Sequence, residues 1–286
     1  MSNTFFLLDE PADPQYKAVR DRPDAEHFRG EIEALWQDYR PYADAKFREE
    51  ATRHFHERYW EMYVAVALLR KNFELTKHGD TGPEFSFSLN GQRVWVEAVA
   101  PTGGDGPDAV KSYGPKQVMV PVEQVLLRFT NAFDTKRRCY VEAVNKKIIS
   151  SDDAYVIAVN SRGVPHGPYS APIPFYIQAL LPIGPLTLTL NTKSQRIVDQ
   201  YHQYRPEIEK MNQAKVSTRW FLEATSVFCS AVLHSSIDVA NQPMQIGGDF
   251  SVLHNPCATH KLDFSAFAWC EQFHFNEDTL YRTERA

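Results

Sequence analysis

Three glutamates in this chain could act together. Glu84 and Glu97 stand symmetrically about Asn90-Gly91 in the stretch GPEFSFSLNGQRVWVEAVAP, and Glu61 lies inside the apolar run RYWEMYVAVALLRKNF. Asn-Gly between alternating residues signals a two-residue hairpin turn, and such a turn fixes the register. Leu89 then faces Gln92, Phe87 faces Val94, Phe85 faces Val96, and Glu84 faces Glu97. Directly opposed residues have Cβ atoms about 4.5–5.5 Å apart, so two like charges there destabilise unless compensated. The compensation is a cation, an Arg or Lys between them, a shared proton, or free exposure to water. An exposed hairpin with splayed acids would satisfy the last of these. Against it, VWVEAVA is too apolar for an exposed ribbon, Glu97 sits in its middle, and Glu61 sits in an apolar helix just upstream. Buried acids are paired or bind metal. A hard divalent cation such as Mg²⁺ takes a few carboxylate oxygens and keeps open water positions.

The elements that must place these acids follow from periodicity. Residues 14–50 are charge-rich with spaced apolar positions such as Ile32, Leu35 and Trp36, which predicts one or two surface helices. Residues 47–72 are apolar on most sides and predict a longer helix packed into the core. FELTKH reads as a short strand, EFSFSLN alternates strictly, and QRVWVEAVA is β-branched and aromatic up to Pro101. The Gly/Pro-rich run 102–117 reads as a mobile loop. Residues 121–147 return to helix, with Pro121 near the first turn, and the unbroken apolar run 154–160 is a buried strand. Beyond it come the strand-like PLTLTLN (185–191), a polar segment around 194–214 read as helical, the strand-like TSVFCSAVLHS (225–235), and DFSVLHNP (249–256). No Pro/Gly/Ser linker intervenes. The expectation is one α/β domain over 1–286 with a core at about 47–160 and an elaborated C-terminal half at about 161–286.

Pro83-Glu84, followed by Glu97-Ala98-Val99 on the next strand and set between two helices, resembles the PD-(D/E)xK nuclease superfamily. The resemblance covers roughly 47–160. It implies a restriction-endonuclease-like core of helix, three strands, helix and strand, with a mixed sheet flanked by helices. It also implies that Glu84 and Glu97 ligate Mg²⁺ or Mn²⁺, that the Ala98 carbonyl adds a ligand, and that Glu61 serves as a further one. The family's lysine, which activates the attacking water and stabilises developing charge, falls where this chain has Val99. Some members supply that cation from the following helix. Here Gln124 and Arg128 are four residues apart and share a face, and Asn131 and Thr135 continue the polar stripe. Lys136 lies off the stripe, although its chemistry matches the missing lysine better. Arg128 and Gln124 are therefore the expected phosphate-holding pair, and Lys136 the second choice. The implied activity is metal-assisted hydrolysis of phosphodiester bonds in nucleic acid, DNA in the first instance. The alternative is a nuclease-fold module that binds nucleic acid or serves assembly without cutting. A homodimer is compatible with the resemblance, since many members dimerise to cut two strands.

The chain has 286 residues, 43% hydrophobic, 23% charged, with a formal net charge of −5. That charge argues against a broad polyanion binder but leaves room for a local basic groove. No run of eighteen apolar residues occurs, so no membrane partner is expected. The N-terminus lacks a basic segment and is not read as a signal peptide. Cys139, Cys229, Cys257 and Cys270 are scattered, which favours a reducing compartment and a cytoplasmic location. His254, Cys257 and His260 share a three-residue spacing that fits no zinc finger or ribbon, so a strand-end turn is the simpler reading. GGDG (103–106) and IGGDF (246–250) lack the phosphate-loop spacing. Residues 193–219, with Lys193, Arg196, Arg205, Lys210, Lys215 and Arg219, form a mildly basic segment suited to a phosphate backbone or simply to solvent.

Overall fold

The computed structural model describes residues 4–78, 82–112, 114 and 119–285. The N-terminal helices are α1 (Pro14–Asp21), α2 (Glu26–Tyr39), α3 (Phe47–Ala51) and α4 (Phe55–Arg70). The expected continuous helix over 47–72 is broken at 52–54. Asp13 explains the break, because its N–H donates to the Thr52 carbonyl and its carboxylate accepts the Phe55 N–H at 3.1 Å. Those backbone groups would otherwise continue the helical ladder. Asp13 also caps α1, accepting from the Gln15 and Tyr16 amides, with Pro14 at the first helical position.

Next come β1 (Leu75–Lys77), β2 (Phe85–Leu89), β3 (Gln92–Val99), α5 (Val122–Asn145) and β4 (Ala154–Asn160). Helix, three strands, helix, strand is the order read from the sequence. Strands β1, β2 and β3 are antiparallel neighbours, while β3 and β4 run parallel. A parallel pair needs a long crossover, and α5 supplies it.

The C-terminal half contains small antiparallel pairs and the rest of the sheet. Strands β5 (Ser170–Ala171) and β6 (Ile173–Pro174) precede α6 (Phe175–Leu180). Strands β7 (Ile183–Asn191) and β8 (Arg196–Tyr204) pair with each other, as do β9 (Glu207–Glu209) and β10 (Lys215–Ser217). The polar segment at 194–214 is therefore strand and turn, not helix. IVDQYHQY carries β-branched and aromatic residues and finds a partner in LTLTLN, and cross-strand pairing overrides the charge pattern that suggested a helix. Of 225–235 only β11 (Ala231–Ser235) is strand, after a 3₁₀ turn at Ala224–Ser226. It is followed by β12 (Ser251–His254), β13 (Glu271–Asn276) and β14 (Thr279–Thr283).

Among the described residues the main sheet has eight strands in the order β1-β2-β3-β4-β11-β12-β13-β14. It is mixed, and helices cover both faces. The alternation along β3 and β4 divides the core. Val94, Val96, Ala98, Ala154, Val156 and Ala158 face α1–α4, whereas Trp95, Tyr155, Ile157 and Val159 face α5 and α6. The Trp60 indole N–H donates to the Ala158 carbonyl at 3.0 Å and fixes α4 on its face. No helix among the described residues is long and apolar enough to cross a membrane.

Candidate active site

The site begins at the hairpin turn. Asn90 and Gly91 have φ of 51° and 83°, the left-handed conformation that a two-residue hairpin turn of this kind requires at both positions. The register is the expected one, from Leu89↔Gln92 to Phe85↔Val96. Glu84 lies one residue outside β2. Residues of β3 alternate in hydrogen-bonding direction, and Ala98 follows Val94 and Val96 in turning its N–H and C=O toward β2. Its N–H therefore reaches past the last ladder pair. There the Glu84 carboxylate accepts it at 2.9 Å, in place of a backbone carbonyl. The sequence called for the Ala98 carbonyl at the site; the structure adds its amide, as the anchor of Glu84.

Glu97 is 7% exposed, in the middle of β3, and on the face that α5 covers. Lys136 reaches it from α5, and its ammonium pairs with Glu97 Oε1. Burial and then Glu97 hold the Glu84 carboxyl well above the usual carboxylate range, against the opposing pull of Lys136. For Lys136, burial acts to lower the pKa, but Glu97 and Glu84 outweigh it and keep the ammonium charged. Lys136 thus sets one cation beside two close glutamates. Lys136, Glu84 and Glu61 line a single cleft of about 250 Å³ together with Arg58, Thr135 and the chain from Ala98 to Ala100.

Glu61 reaches that cleft with both oxygens engaged. The Tyr39 hydroxyl donates to Oε1, and Arg58 pairs with Oε2 at 2.5 Å. Burial raises its pKa, while Arg58 and Tyr39 pull it down. Arg58 also pairs with Glu50 at 2.8 Å. Neither Tyr39 nor Arg58 was singled out from the sequence. The Arg58–Glu61 spacing of three on one helix was the available signal for the second; Tyr39, on a different helix, left none.

Arg128 and Gln124 are not brought to the site. The Arg128 guanidinium turns to the loop after β3, where Nε donates to the Thr102 carbonyl at 2.8 Å. It lies so close to Gly104 (φ +73°) that a Cβ there would clash with Nη1. At 1.5 Å of rise per residue, Arg128 and Gln124 stand about 12 and 18 Å along α5 from Lys136. Helical periodicity says nothing about position along the axis, and Lys136, off the polar stripe, is the residue that reaches Glu97. The described part of the loop read as mobile is also tied internally, with the Val110 N–H donating to the Gly103 carbonyl; positions 113 and 115–117 lie outside the described residues. Elsewhere, His254 bonds Gln272, His260 bonds the Ser151 carbonyl, and Cys257 is exposed, so the HNPCATHKL residues do not converge.

The fit to a metal can be judged from the donors. Among the described residues no three His, Cys, Asp or Glu side chains form a metal-holding group, and Glu61 is committed to Tyr39 and Arg58. Glu84 and Glu97 remain, electrostatically coupled, each with one oxygen bonded within the protein and one without such a partner among the described residues. Two carboxylates suit Mg²⁺ or Mn²⁺, whose other positions are filled by water and substrate phosphates. No family model, curated protein or solved structure matches the chain. The functional reading therefore rests on the geometry of this cleft.

Proposed function

We propose that the chain is a metal-dependent nuclease that hydrolyses phosphodiester bonds in DNA, built on a restriction-endonuclease-like core from α4 to β4. The observation that carries this reading is the Lys136–Glu97 ion pair, whose lysine lines the same cleft as Glu84. It supplies, from α5, the cation that the family's motif would place at Val99. The order of elements and the hairpin register support the same reading.

In this reading Glu84, Glu97 and the Ala98 carbonyl would hold Mg²⁺ or Mn²⁺. When bound, such an ion lowers the pKa of a coordinated water and neutralises phosphate oxygens. The Ala98 amide keeps Glu84 oriented. Lys136 holds the scissile phosphate and stabilises the charge that develops on it, in a site where water is partly excluded. Arg58, held by Glu61 and Glu50, presents a second cation to the same cleft. Glu61 acts by positioning Arg58 rather than as a ligand. The expected result is cleavage of linear or single-stranded DNA in Mg²⁺ or Mn²⁺ that disappears in Glu97→Ala and in Lys136→Ala. Absence of cleavage by the wild type, or cleavage that survives Glu97→Ala, overturns the reading.

One observation favours a second reading, a nuclease-fold module that binds nucleic acid or serves assembly without cutting. Lys136 is engaged by Glu97, so that carboxylate already has a cation partner without a metal. That reading expects DNA binding by the wild type with no cleavage in either metal, and no change in binding on adding Mg²⁺.

A further inference from the structure

The β7–β8 ribbon carries an apolar stripe that nothing among the described residues covers. Leu186, Leu188 and Leu190 alternate along β7 and are 43, 47 and 58% exposed. On β8 their face receives Gln200 and His202, which pair with Leu188 and Leu186. The register then shifts between Thr189 and Leu190, whose partners are Asp199 and Ile197. The extra residue, Val198, re-aims Ile197 onto the leucine face, where it is 54% exposed. Thr187, Thr189, Asp199 and Arg196 lie on the opposite face, with one exposed aromatic, Tyr201, opposite Thr187. The ribbon is thus amphipathic, yet its apolar side faces solvent. An isolated two-stranded ribbon is marginal in water unless its apolar face packs on something.

We propose that this face is covered by the same face of a second copy, giving a two-fold dimer in which the two ribbons pack leucine stripe to leucine stripe. Self-complementarity selects this occupant. The stripe holds no Asp, Glu, Lys or Arg, so stacking it on itself opposes no carboxylates or basic side chains of like charge, and a two-fold contact needs one patch that matches itself. The size is adequate. Two nine-residue strands present a face about 30 Å long and about 10 Å wide. With side-chain relief this is on the order of 1,000 Å² buried over both copies, at the lower bound for a specific interface. A dimer of that size dissociates on dilution.

Leu188 is at the centre of the stripe, so the two-fold brings it against its own copy. The test is sedimentation of the full chain across a concentration series, with circular dichroism to verify folding. The wild type and Thr189→Lys, altered on the opposite face, are expected to dimerise. Leu188→Glu and Leu188→Lys are each expected to halve in mass while remaining folded, and an equal mixture of the two is expected to recover the dimer. A wild type that is monomeric at every concentration, including one whose ribbon binds DNA instead, overturns the proposal. So does a dimer that persists in Leu188→Glu, or a mixture that stays monomeric. The readout is mass, independent of whether the cleft cuts nucleic acid.

Discussion

Replacing Lys136 with Met separates a buried ion pair from an ornamental one. The two side chains are 16% and 9% exposed for Lys136 and Glu97, so water cannot take over as partner when one is removed. Breaking a buried pair from one side costs about 3–5 kcal/mol, because a charge is left buried and uncompensated. For a chain of this size that is a fall in Tm of about 6–10 °C. The surface pair Lys146–Glu142 is the control, at 58% and 65% exposure; Lys146→Met should cost about 0.5 kcal/mol or less. The assay is urea unfolding at neutral pH in metal-free buffer for Lys136→Met, Glu97→Leu and the double variant. The double variant should recover much of the loss, since both charges go together, leaving a coupling energy of about 2 kcal/mol or more. If each single variant costs under about 1 kcal/mol, or if the two losses simply add, Lys136 and Glu97 are not a desolvated pair and the reasoning behind the site fails.

Three other outcomes follow from the same structure. The raised pKa of Glu84 means that its protonated form favours folding at low pH and that this benefit is lost as pH rises through the folded-state pKa; Glu84→Gln should therefore stabilise the metal-free protein at neutral pH and make no difference below the ordinary carboxylate range, as read by Tm against pH. Burial depresses the His234 pKa to about 3, so stability falls as pH drops from about 6.5 toward that value, and the slope should be shallower in His234→Gln. Tyr39→Phe leaves Glu61 without its hydroxyl donor and should cost about 1–3 kcal/mol in urea unfolding.

The parts of the fold set by local chemistry were legible in the sequence. Asn90-Gly91 could be read because both residues tolerate the positive φ that a type I′ hairpin turn requires, and a two-residue turn sets the register. The buried strand at 154–160 and the helix of 121–147, observed at Val122–Asn145, carried clear periodicity. What failed depended on distant partners. The break between α3 and α4 is imposed by Asp13, which no local pattern announces. The β8 strand has no core to face, so its charges looked like a solvated helix until LTLTLN supplied a pairing partner. The polar stripe on α5 runs through Gln124 and Arg128 and leaves Lys136 to one side. What decides the matter is which turn of α5 crosses Glu97 and how far a lysine can extend.

The position of β4 in the sheet bears on how the chain becomes a folded protein. β4 is central, with parallel partners on both sides, β3 before it and β11 after it. Every residue of the candidate cleft precedes β4, but the strand that closes its far edge arrives only with Ala231–Ser235. During synthesis, AYVIAVN is an uncharged seven-residue edge with no cover, the kind of segment that pairs with any chain offering a strand. A piece cut at 160 would hold every residue of the candidate cleft and still expose this edge. The C-terminal half thus acts as an internal guard, sealing the sheet that carries the site.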